Sequence, residues 1–555
     1  MASAMNGGGG GVVKRMSALR VQYYCVMGAV AAAVVLATLR YMPGPAAAGT
    51  SSAPVDETGF SKALYTTDIG HNDINGILHL PYHTMLEKLP AIVAEIKKTI
   101  ERLHKNGARK FLIHGTGALG CMPQKLAMPR DDDSGLDANG CVATINNVCK
   151  QFNKLLSETC DELRLNLKKS TIIFVDITIL WPTTQNTNLG SVASTGAGSN
   201  SSGAIPAATP AAAKEQERRR PPVVLFNFGD SNSDTGGVAA AGGIRIMPPE
   251  GRTYFGRPTG RLSDGRVIID FICESLNTHE LNPYLKGIGS DYSNGVNFAM
   301  AGSTVSHGVS PYSLNVQVDQ FVYFKHRSLE LFERGLKGPV SKEGFENALY
   351  MMDIGHNDMV GVAHTPSDQW DTKIAKIVDE IRQAMRILYD NGARKFWIHG
   401  TGALGCLPAV AVREKGEHDA HGCLVSVNKA AKAFNKKLSN LCDDMRFFLK
   451  NATIVYTDMF AIKYDFVANR TKYGIDWPLM VCCGNGGPPY NMDQGKPGCG
   501  DLCEPESKVL SWDGVHFTDF GSGLAAKLVM SGEYSKPRVK LASLINGGSK
   551  KTSDS

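Results

Sequence analysis

Residues 226–237 read Phe-Asn-Phe-Gly-Asp-Ser-Asn-Ser-Asp-Thr-Gly-Gly, and they follow the apolar run Val223-Val224-Leu225. Such a run predicts a buried strand, and the glycines and small polar residues after it predict a tight strand-to-helix turn. Ser231 therefore stands at the carboxyl end of a strand and beside a helix N-terminus, where open parallel sheets place their chemistry. The position suits a nucleophile, although Gly-Asp-Ser turns also occur in plain loops.

The composition limits the classes of protein to be considered. The chain has 555 residues, of which 43% are hydrophobic, and its formal net charge is +6. This length suggests two to four domains, or fewer if linkers separate them. The net charge is small for a chain of this size and no long basic block is present, so we expect no nucleic-acid partner.

The N-terminal region predicts entry into the secretory pathway. Residues 1–20 are basic and Gly-rich, and residues 21–42 form an apolar segment that is uncharged as far as Leu39. This run is long enough to cross a bilayer, which needs roughly 17–25 residues, and the preceding positive charge predicts a cytosolic N-terminus. A retained anchor would give a type II membrane protein of the Golgi, and cleavage after Ala46-Ala47-Ala48 would give a secreted protein.

We favour the anchor, because the run is longer than a signal-peptide core of about 7–15 residues. The third interpretation, a buried soluble helix, is disfavoured by the flanking charges. Two glycosylation sequons, at Asn451 and Asn469, agree with a secretory route.

Thirteen cysteines also fit an oxidising compartment. Cys482 and Cys483, with Cys499 and Cys503, have no accompanying histidine cluster, so we predict disulfides there and not a metal site. Cys406 and Cys423 are plausible partners, but spacing alone does not determine the pairing.

One segment of the chain occurs twice, with residues 59–180 repeated at 344–462. The sequence Asp-Ile-Gly-His-Asn-Asp stands at 68–73 and again at 353–358, and Asn-Gly-Ala-Arg-Lys-Phe recurs as well. The unit is too long for a solenoid, whose repeats span roughly 20–50 residues. We interpret it as a duplicated piece of a domain.

Each copy predicts the order strand, helix, strand, helix, strand, which is typical of a parallel sheet covered by helices. For the second copy the predicted elements are a strand at 348–354, a helix at 370–390, a strand at 395–399, a helix at 425–449 and a strand at 452–457.

The domain boundaries follow from these patterns. Residues 58–182 form a partial duplicate, and residues 183–221 form a flexible linker of Ser, Gly, Ala, Thr and Pro. Residues 222–535 form one complete α/β domain, and residues 536–555 form a C-terminal tail.

Three further blocks supply what a serine nucleophile needs. A serine hydroxyl requires an adjacent base, and Asp513 precedes His516 by three residues, so that a carboxylate can orient an imidazole. The backbone N–H groups of Ser231 and Gly302 and the side-chain amide of Asn357 are candidate donors to a developing oxyanion. Losing one such donor typically raises the barrier by about 2.7–4 kcal/mol. Asn357 has a second interpretation, in which it only caps its turn.

These four blocks resemble the plant-type GDSL esterase/lipases of the Ser-Gly-Asn-His hydrolase superfamily, from Val223 to about Val529. The resemblance implies Ser231 as nucleophile, Gly302 and Asn357 as oxyanion-hole residues, and His516 as the base oriented by Asp513. It implies a flavodoxin-like three-layer α/β/α sandwich with a central parallel sheet of about five strands. It also implies ester hydrolysis through an acyl-enzyme, without a metal or cofactor.

Four points stay open at this stage. His356 stands where such relatives usually carry glutamine, and it either lines the rim of the pocket or is simply tolerated there. The resemblance leaves lipid esters, small acyl esters and acetylated cell-wall polysaccharides such as xylan open as substrates. The alternative to an enzyme is a non-catalytic carbohydrate-binding or inactive protein that retains the fold. The sequence does not indicate an oligomeric state.

The first copy lacks both the serine block and the Asp-x-x-His block, so it cannot catalyse this reaction alone. It is a fragment joined to a complete gene, a poorly folded appendage, or a segment that competes with the second copy for a place in the sheet.

Overall fold

A computed structural model of the protein describes residues 55–127, 135–177, 223–336, 338–492 and 499–546. The chain divides into two compact units, residues 1–207 and residues 208–555. Each unit is described by itself.

The first unit alternates strands and helices, as the sequence predicts. Its elements are α1 (Glu57–Lys62), β1 (Leu64–Asp68), α2 (His71–Ile77), α3 (Tyr82–Lys105), β2 (Lys110–His114), α4 (Pro123–Leu126), α5 (Ala143–Asn166) and β3 (Thr171–Val175). The strands form a parallel sheet in the order β1-β2-β3. The apolar sides of α3 and α5 share one hydrophobic cluster with β2, which buries Phe111, Ile113 and Phe152.

The second unit contains a larger set of elements in the same style. These are β4 (Leu225–Gly229), α6 (Gly237–Ala240), α7 (Ile268–Ser275), β5 (Gly295–Asn297), α8 (Leu314–Glu333), α9 (Lys342–Asn347), β6 (Leu349–Asp353), α10 (His356–Ala363), α11 (Trp370–Asp390), β7 (Lys395–His399), α12 (Pro408–Arg413), α13 (Val425–Phe448), β8 (Thr453–Thr457), α14 (Met459–Ala468), β9 (Trp477–Val481), β10 (Cys483–Gly484), β11 (Asp501–Leu502), β12 (Val509–Ser511), α15 (Asp519–Ser531), β13 (Ser535–Lys536) and α16 (Leu541–Asn546).

The main sheet of this unit is parallel-dominated, with the strand order β13-β8-β7-β6-β4-β5. Five strands run parallel, through four neighbouring pairs, and the two-residue β13 pairs antiparallel with β8 at one edge. The sequence predicts about five strands and does not reveal β13, because two residues show no periodicity. The chain is therefore a mixed α/β protein.

Alternate residues of the strands contribute to two different hydrophobic clusters, because successive side chains of a strand point to opposite faces. Phe226, Tyr350 and Phe396 belong to the cluster that contains the apolar sides of α8, α11 and α13. Leu225 and Trp397 belong to the cluster that contains those of α7 and α15. Helices thus cover both faces of the sheet, so a functional site can form at the loops that follow the strand ends.

The predicted elements of the second copy are confirmed to within one residue at each end, for example the strand Lys395–His399. The structure differs from the expected tail at 536–555, because Leu541 and Leu544 of α16 are buried in the hydrophobic cluster that contains α15. The described fold therefore continues to Asn546.

The predicted N-terminal tail (1–20), anchor or signal peptide (21–42) and linker (183–221) lie outside the described residues. No helix within the described ranges combines the length and apolar character that crossing a membrane requires.

Candidate active site

Ser231 lies in a turn that is fixed from two sides. The turn follows β4, and Gly229 both donates to the Gln317 amide oxygen (2.9 Å) and accepts from the amide nitrogen (2.8 Å). The backbone N–H of Asp230 donates to the carbonyl oxygen of Asp353 at the end of β6 (3.2 Å). A methyl group on Gly229 would approach that carbonyl to 2.7 Å, so the close approach requires glycine here.

Asp234 organises the second half of the same turn. Its carboxylate accepts from the backbone N–H groups of Gly236 (2.8 Å) and Val238 (3.1 Å), at the start of α6. It also accepts from the N–H of Ala301 (2.8 Å), in the loop after β5. Asp234 therefore shapes the turn and connects it to the loop that carries Gly302.

The two other oxyanion-hole candidates lie next to each other. Gly302 has φ +81, in the left-handed region that favours glycine, and the space beside its Cα is open. Asn357, in the first turn of α10, donates its Nδ2 to the carbonyl oxygen of Ser303 (2.8 Å). An amide nitrogen has two hydrogens, so one donor of Asn357 stays available.

Asp358 has a role that the sequence interpretation missed. Its carboxylate accepts from the N–H groups of Val305 (2.8 Å) and Ser306 (2.9 Å), which fixes the loop after Gly302 onto α10. The sequence signal for this role was the position of Asp358 in the repeated Gly-His-Asn-Asp block, in which the sequence analysis assigned an oxyanion role to Asn357. Among the hydrogen bonds of the described residues, none uses the backbone N–H of Ser231 or of Gly302.

The strand order explains why Ser231, Gly302 and Asn357 converge. They follow β4, β5 and β6, which are adjacent and parallel, with Gly229 paired to Asp353 and Asn227 paired to Asn297. The carboxyl ends of neighbouring parallel strands meet at one edge of the sheet.

His516 and Asp513 form a directly bonded pair in the loop between β12 and α15. His516 Nδ1 lies 2.6 Å from Asp513 Oδ2, and Asp513 Oδ1 accepts from the backbone N–H groups of Val515 (3.0 Å) and His516 (2.9 Å). His516 Nε2 is buried and has no partner among the described residues. The pair therefore leaves Nε2 free to take a proton.

Electrostatics supports this arrangement. Burial lowers the pKa of His516, but the charge and hydrogen bond of Asp513 raise it by more, so that it lies above the ordinary 6.5. Burial raises the pKa of Asp513, but His516 and two backbone N–H groups hold it below its usual value. The charge of Asp230 also raises the pKa of His516, which places the base within electrostatic range of the Ser231 turn.

Two disulfides cross-link the segment that is hydrogen-bonded to the start of this loop. Cys482 is bonded to Cys503, and Cys483 is bonded to Cys499. The backbone N–H of Cys483 donates to the carbonyl oxygen of Trp512 (2.7 Å), directly before Asp513. These bonds confirm disulfides at the four cysteines, and a further bond confirms the pair Cys406–Cys423.

Lys463 is a site residue that the sequence interpretation missed. It lies on α14 and lines a small crevice with His516 and Phe517, its Nζ 4.7 Å from the centre of the Phe517 ring. Burial lowers the pKa of Lys463 to about 8, against the opposing charge of Asp513. A lysine directly after the apolar Met459–Ile462 was the available signal.

The side chain of His356 is largely buried and hydrogen-bonded, so it is more than a tolerated surface residue. Its side chain is 18% exposed, and its Nδ1 lies 3.1 Å from Asp230 Oδ2. The two sequon asparagines, Asn451 and Asn469, are exposed.

The comparison with protein families agrees with these residues. A family model described as GDSL-like Lipase/Acylhydrolase matches residues 23–199 and 225–529. The chain is 50% identical over 325 residues to GDSL esterase/lipase LIP-4 of Arabidopsis thaliana, covering 57% of this chain and 87% of that protein. It is 40% identical over 344 residues to an esterase of Hevea brasiliensis, covering 57% and 87%.

A third relative carries a different name. Alpha-L-fucosidase 3 of Arabidopsis thaliana is 39% identical over 324 residues, covering 53% of this chain and 86% of that protein. The names of these similar proteins therefore refer to different bonds, an ester in the esterases and a glycosidic bond in the fucosidase.

Proposed function

The chain belongs to the GDSL-like lipase/acylhydrolase family, and on that premise we propose that it hydrolyses carboxylic esters through an acyl-enzyme on Ser231. Membership in this family and the named esterase relatives make it an ester-bond hydrolase. The identity of the nucleophile, the base and the oxyanion donors is our proposal. The observation that carries it is His516, oriented by Asp513 at 2.6 Å and with its Nε2 unpartnered among the residues that the structure describes.

The first half of the reaction forms the acyl-enzyme. Ser231 Oγ attacks the ester carbonyl carbon while His516 Nε2 accepts the hydroxyl proton. The carbonyl oxygen becomes an oxyanion, which receives hydrogen bonds from the N–H groups of Ser231 and Gly302 and from the second amide hydrogen of Asn357. The intermediate collapses, and His516 gives its proton to the departing alcohol.

Water completes the cycle. His516 Nε2 takes a proton from a water molecule, whose oxygen attacks the acyl carbon. Collapse of the second tetrahedral intermediate releases the carboxylic acid, and the proton returns to Ser231 Oγ. Throughout, the carboxylate of Asp513 keeps the imidazole in one orientation and stabilises its charged form.

For the substrate we propose an acyl or acetyl ester, with acetylated cell-wall polysaccharide such as xylan as the first class to test. The support is the secretory character of the sequence, namely the apolar segment at 21–42 and the exposed sequons at Asn451 and Asn469. Disulfides beside the catalytic loop agree with that route. We propose a secreted protein or one anchored in the Golgi membrane.

Hydrolysis of p-nitrophenyl acetate by the full chain, produced in a secretory host, tests the mechanism. We expect Ser231→Ala to lower kcat by about 10⁴-fold or more. Ser233→Ala is the matched control, because Ser233 lies buried in the same turn with its hydroxyl unpartnered among the described residues, and it should keep its activity. A folded wild type no faster than Ser231→Ala would favour a non-catalytic, carbohydrate-binding protein.

A further inference from the structure

His356 connects two neighbouring parts of the site. It is the first residue of α10, directly before Asn357, and its Nδ1 lies 3.1 Å from Oδ2 of Asp230, the residue directly before Ser231. Its Nε2 lies 3.3 Å from the backbone nitrogen of Gly402, in the loop after β7. The imidazole of His356, which itself follows β6, thus contacts the segments that follow the two neighbouring strands, β4 and β7.

The partners fix the tautomer of this histidine. A backbone N–H can only donate, so His356 Nε2 accepts from Gly402 and carries no hydrogen. Nδ1 therefore carries the hydrogen and donates it to Asp230. The other carboxylate oxygen of Asp230 accepts from the backbone and side-chain nitrogens of Asn232, at 3.1 and 3.0 Å.

The first copy of the repeat provides a natural comparison. There His71 lies 3.4 Å from the backbone nitrogen of Gly117, so the contact with glycine is present in both copies. Its Nδ1 faces Asp68 at 3.8 Å, beyond hydrogen-bond distance, and its side chain is 38% exposed. The bond to Asp230 occurs only where the turn of Ser231 is present.

We propose that His356 is a positioning residue, which holds the turn of Ser231 at a fixed distance from the helix of Asn357 by bridging Asp230 and Gly402. The inference rests on the proposed roles of Ser231 and Asn357. His356 acts through Asp230 and does not touch the substrate. Its loss leaves the fully buried carboxylate of Asp230 without one of its partners.

Protonation of His356 would alter this bridge. A charged imidazole has donors on both nitrogens, so Nε2 would face the Gly402 N–H as a second donor. Burial lowers the pKa of His356, but the charge and hydrogen bond of Asp230 and the charge of Asp353 raise it by more, so that it lies above its ordinary value. The charge of Lys463 opposes this rise. His399 also belongs to this surrounding, 3.9 Å from Asp353. Acidification therefore weakens the bridge.

Substitutions of His356 in the full chain separate a positioning role from a merely structural one. Gln in place of His356 can donate to Asp230 and accept from Gly402 without titrating. We expect His356→Gln to keep kcat within about 3-fold and to remove one acid ionisation from the pH profile of kcat. We expect His356→Leu to lower kcat by about 10–100-fold with KM within about 2-fold, since misplacement by about 1 Å can cost ~10²-fold.

His71→Leu is the matched control, and it should leave kcat and KM unchanged. If His356→Leu fails to fold, His356→Asn gives the same information, because Asn is polar but too short to reach both partners. We expect its kcat to fall between those of the Gln and Leu variants.

Two results would overturn the proposal. One is a folded His356→Leu protein, with unchanged thermal stability, that keeps the wild-type kcat. The other is a His356→Gln protein that loses as much activity as His356→Leu, since the imidazole itself would then be required. Ser231→Ala, assayed alongside, distinguishes these failures: if it is as active as wild type, the proposed function fails and the role of His356 with it.

Discussion

Residues 64–175 and 349–457 are built from similar sequence but are buried to different extents. In both regions the strands pair in parallel and in the same register, with Leu64 opposite Lys110 and Leu349 opposite Lys395. Every residue of β6 is buried, whereas β1 alternates between exposed and half-buried residues. The local pattern specifies the elements, and the neighbouring elements determine the burial.

The missing neighbours are identifiable. In the second region β4 pairs with the edge of β6 that faces away from β7. The helices α7 and α15 share a hydrophobic cluster with one face of the sheet. The described part of the first unit has no strand beside β1 other than β2. The same difference affects chemistry, because β4 also delivers Ser231 and Asp230.

The largest effect should come from a charge placed on the covered face. Val455 and Ile173 occupy equivalent register positions, opposite Trp397 and Leu112, but Val455 is fully buried and Ile173 is 49% exposed. We expect Val455→Lys to destabilise the fold by about 4 kcal/mol or more, because it buries an unpaired charge. Thermal unfolding followed by circular dichroism, which reports on both regions, measures this.

Ile173→Lys is the matched change in the first region, and it should alter stability by no more than about 0.5 kcal/mol. Equal losses from the two lysines would mean that the face of the first sheet is covered as well.

The second prediction compares the two asparagines of the repeated block. Asn357→Ala removes a proposed oxyanion donor and should lower kcat by about 10²–10³-fold, with little change in KM. Asn72→Ala changes an exposed residue in a region without a nucleophile and should have no effect. Steady-state kinetics with p-nitrophenyl acetate gives both values. A loss of activity from Asn72→Ala would contradict our view that the first copy does not take part in catalysis.

The smallest effect concerns the pH dependence of activity and the loop that carries Asp513 and His516. His516 must be neutral to accept a proton, so kcat/KM should fall as the pH drops through its raised pKa. The charge of Lys463 lowers that pKa, so Lys463→Met should raise the pKa of His516 and move the acid limb to higher pH.

Lys432→Met serves as the control for this shift, because Lys432 also lies over aromatic rings but is exposed. An acid limb that stays in place in Lys463→Met would show that Lys463 does not act on the base.

Local patterns carried most of the fold prediction. The strand Lys395–His399 was predictable because an apolar run stands between turn residues, and α11 because its apolar residues recur at helical spacing. Three of the four motif blocks likewise named residues that follow adjacent parallel strands of the main sheet, namely Ser231 after β4, Gly302 after β5 and Asn357 after β6. β13 and α16 could not be predicted, since they are too short to show a period.

The contacts within the site were not predictable from spacing. Asp230 and His356 are 126 residues apart, and only the pairing of β4 with β6 brings them together. The burial of Lys463 likewise depends on the packing of α14 near the loop of His516. A motif names the residue types that a reaction needs, whereas tertiary structure determines which of them share protons and charge.

The two disulfides beside Trp512 imply that the two halves of the site mature differently. Ser231, Gly302 and Asn357 are placed by strand pairing, which folding alone provides. The loop of Asp513 and His516 is attached to a segment that Cys482–Cys503 and Cys483–Cys499 cross-link. Assembly of the proposed nucleophile thus depends on folding alone, whereas assembly of the proposed base also depends on oxidation of these cysteines, which an oxidising compartment allows.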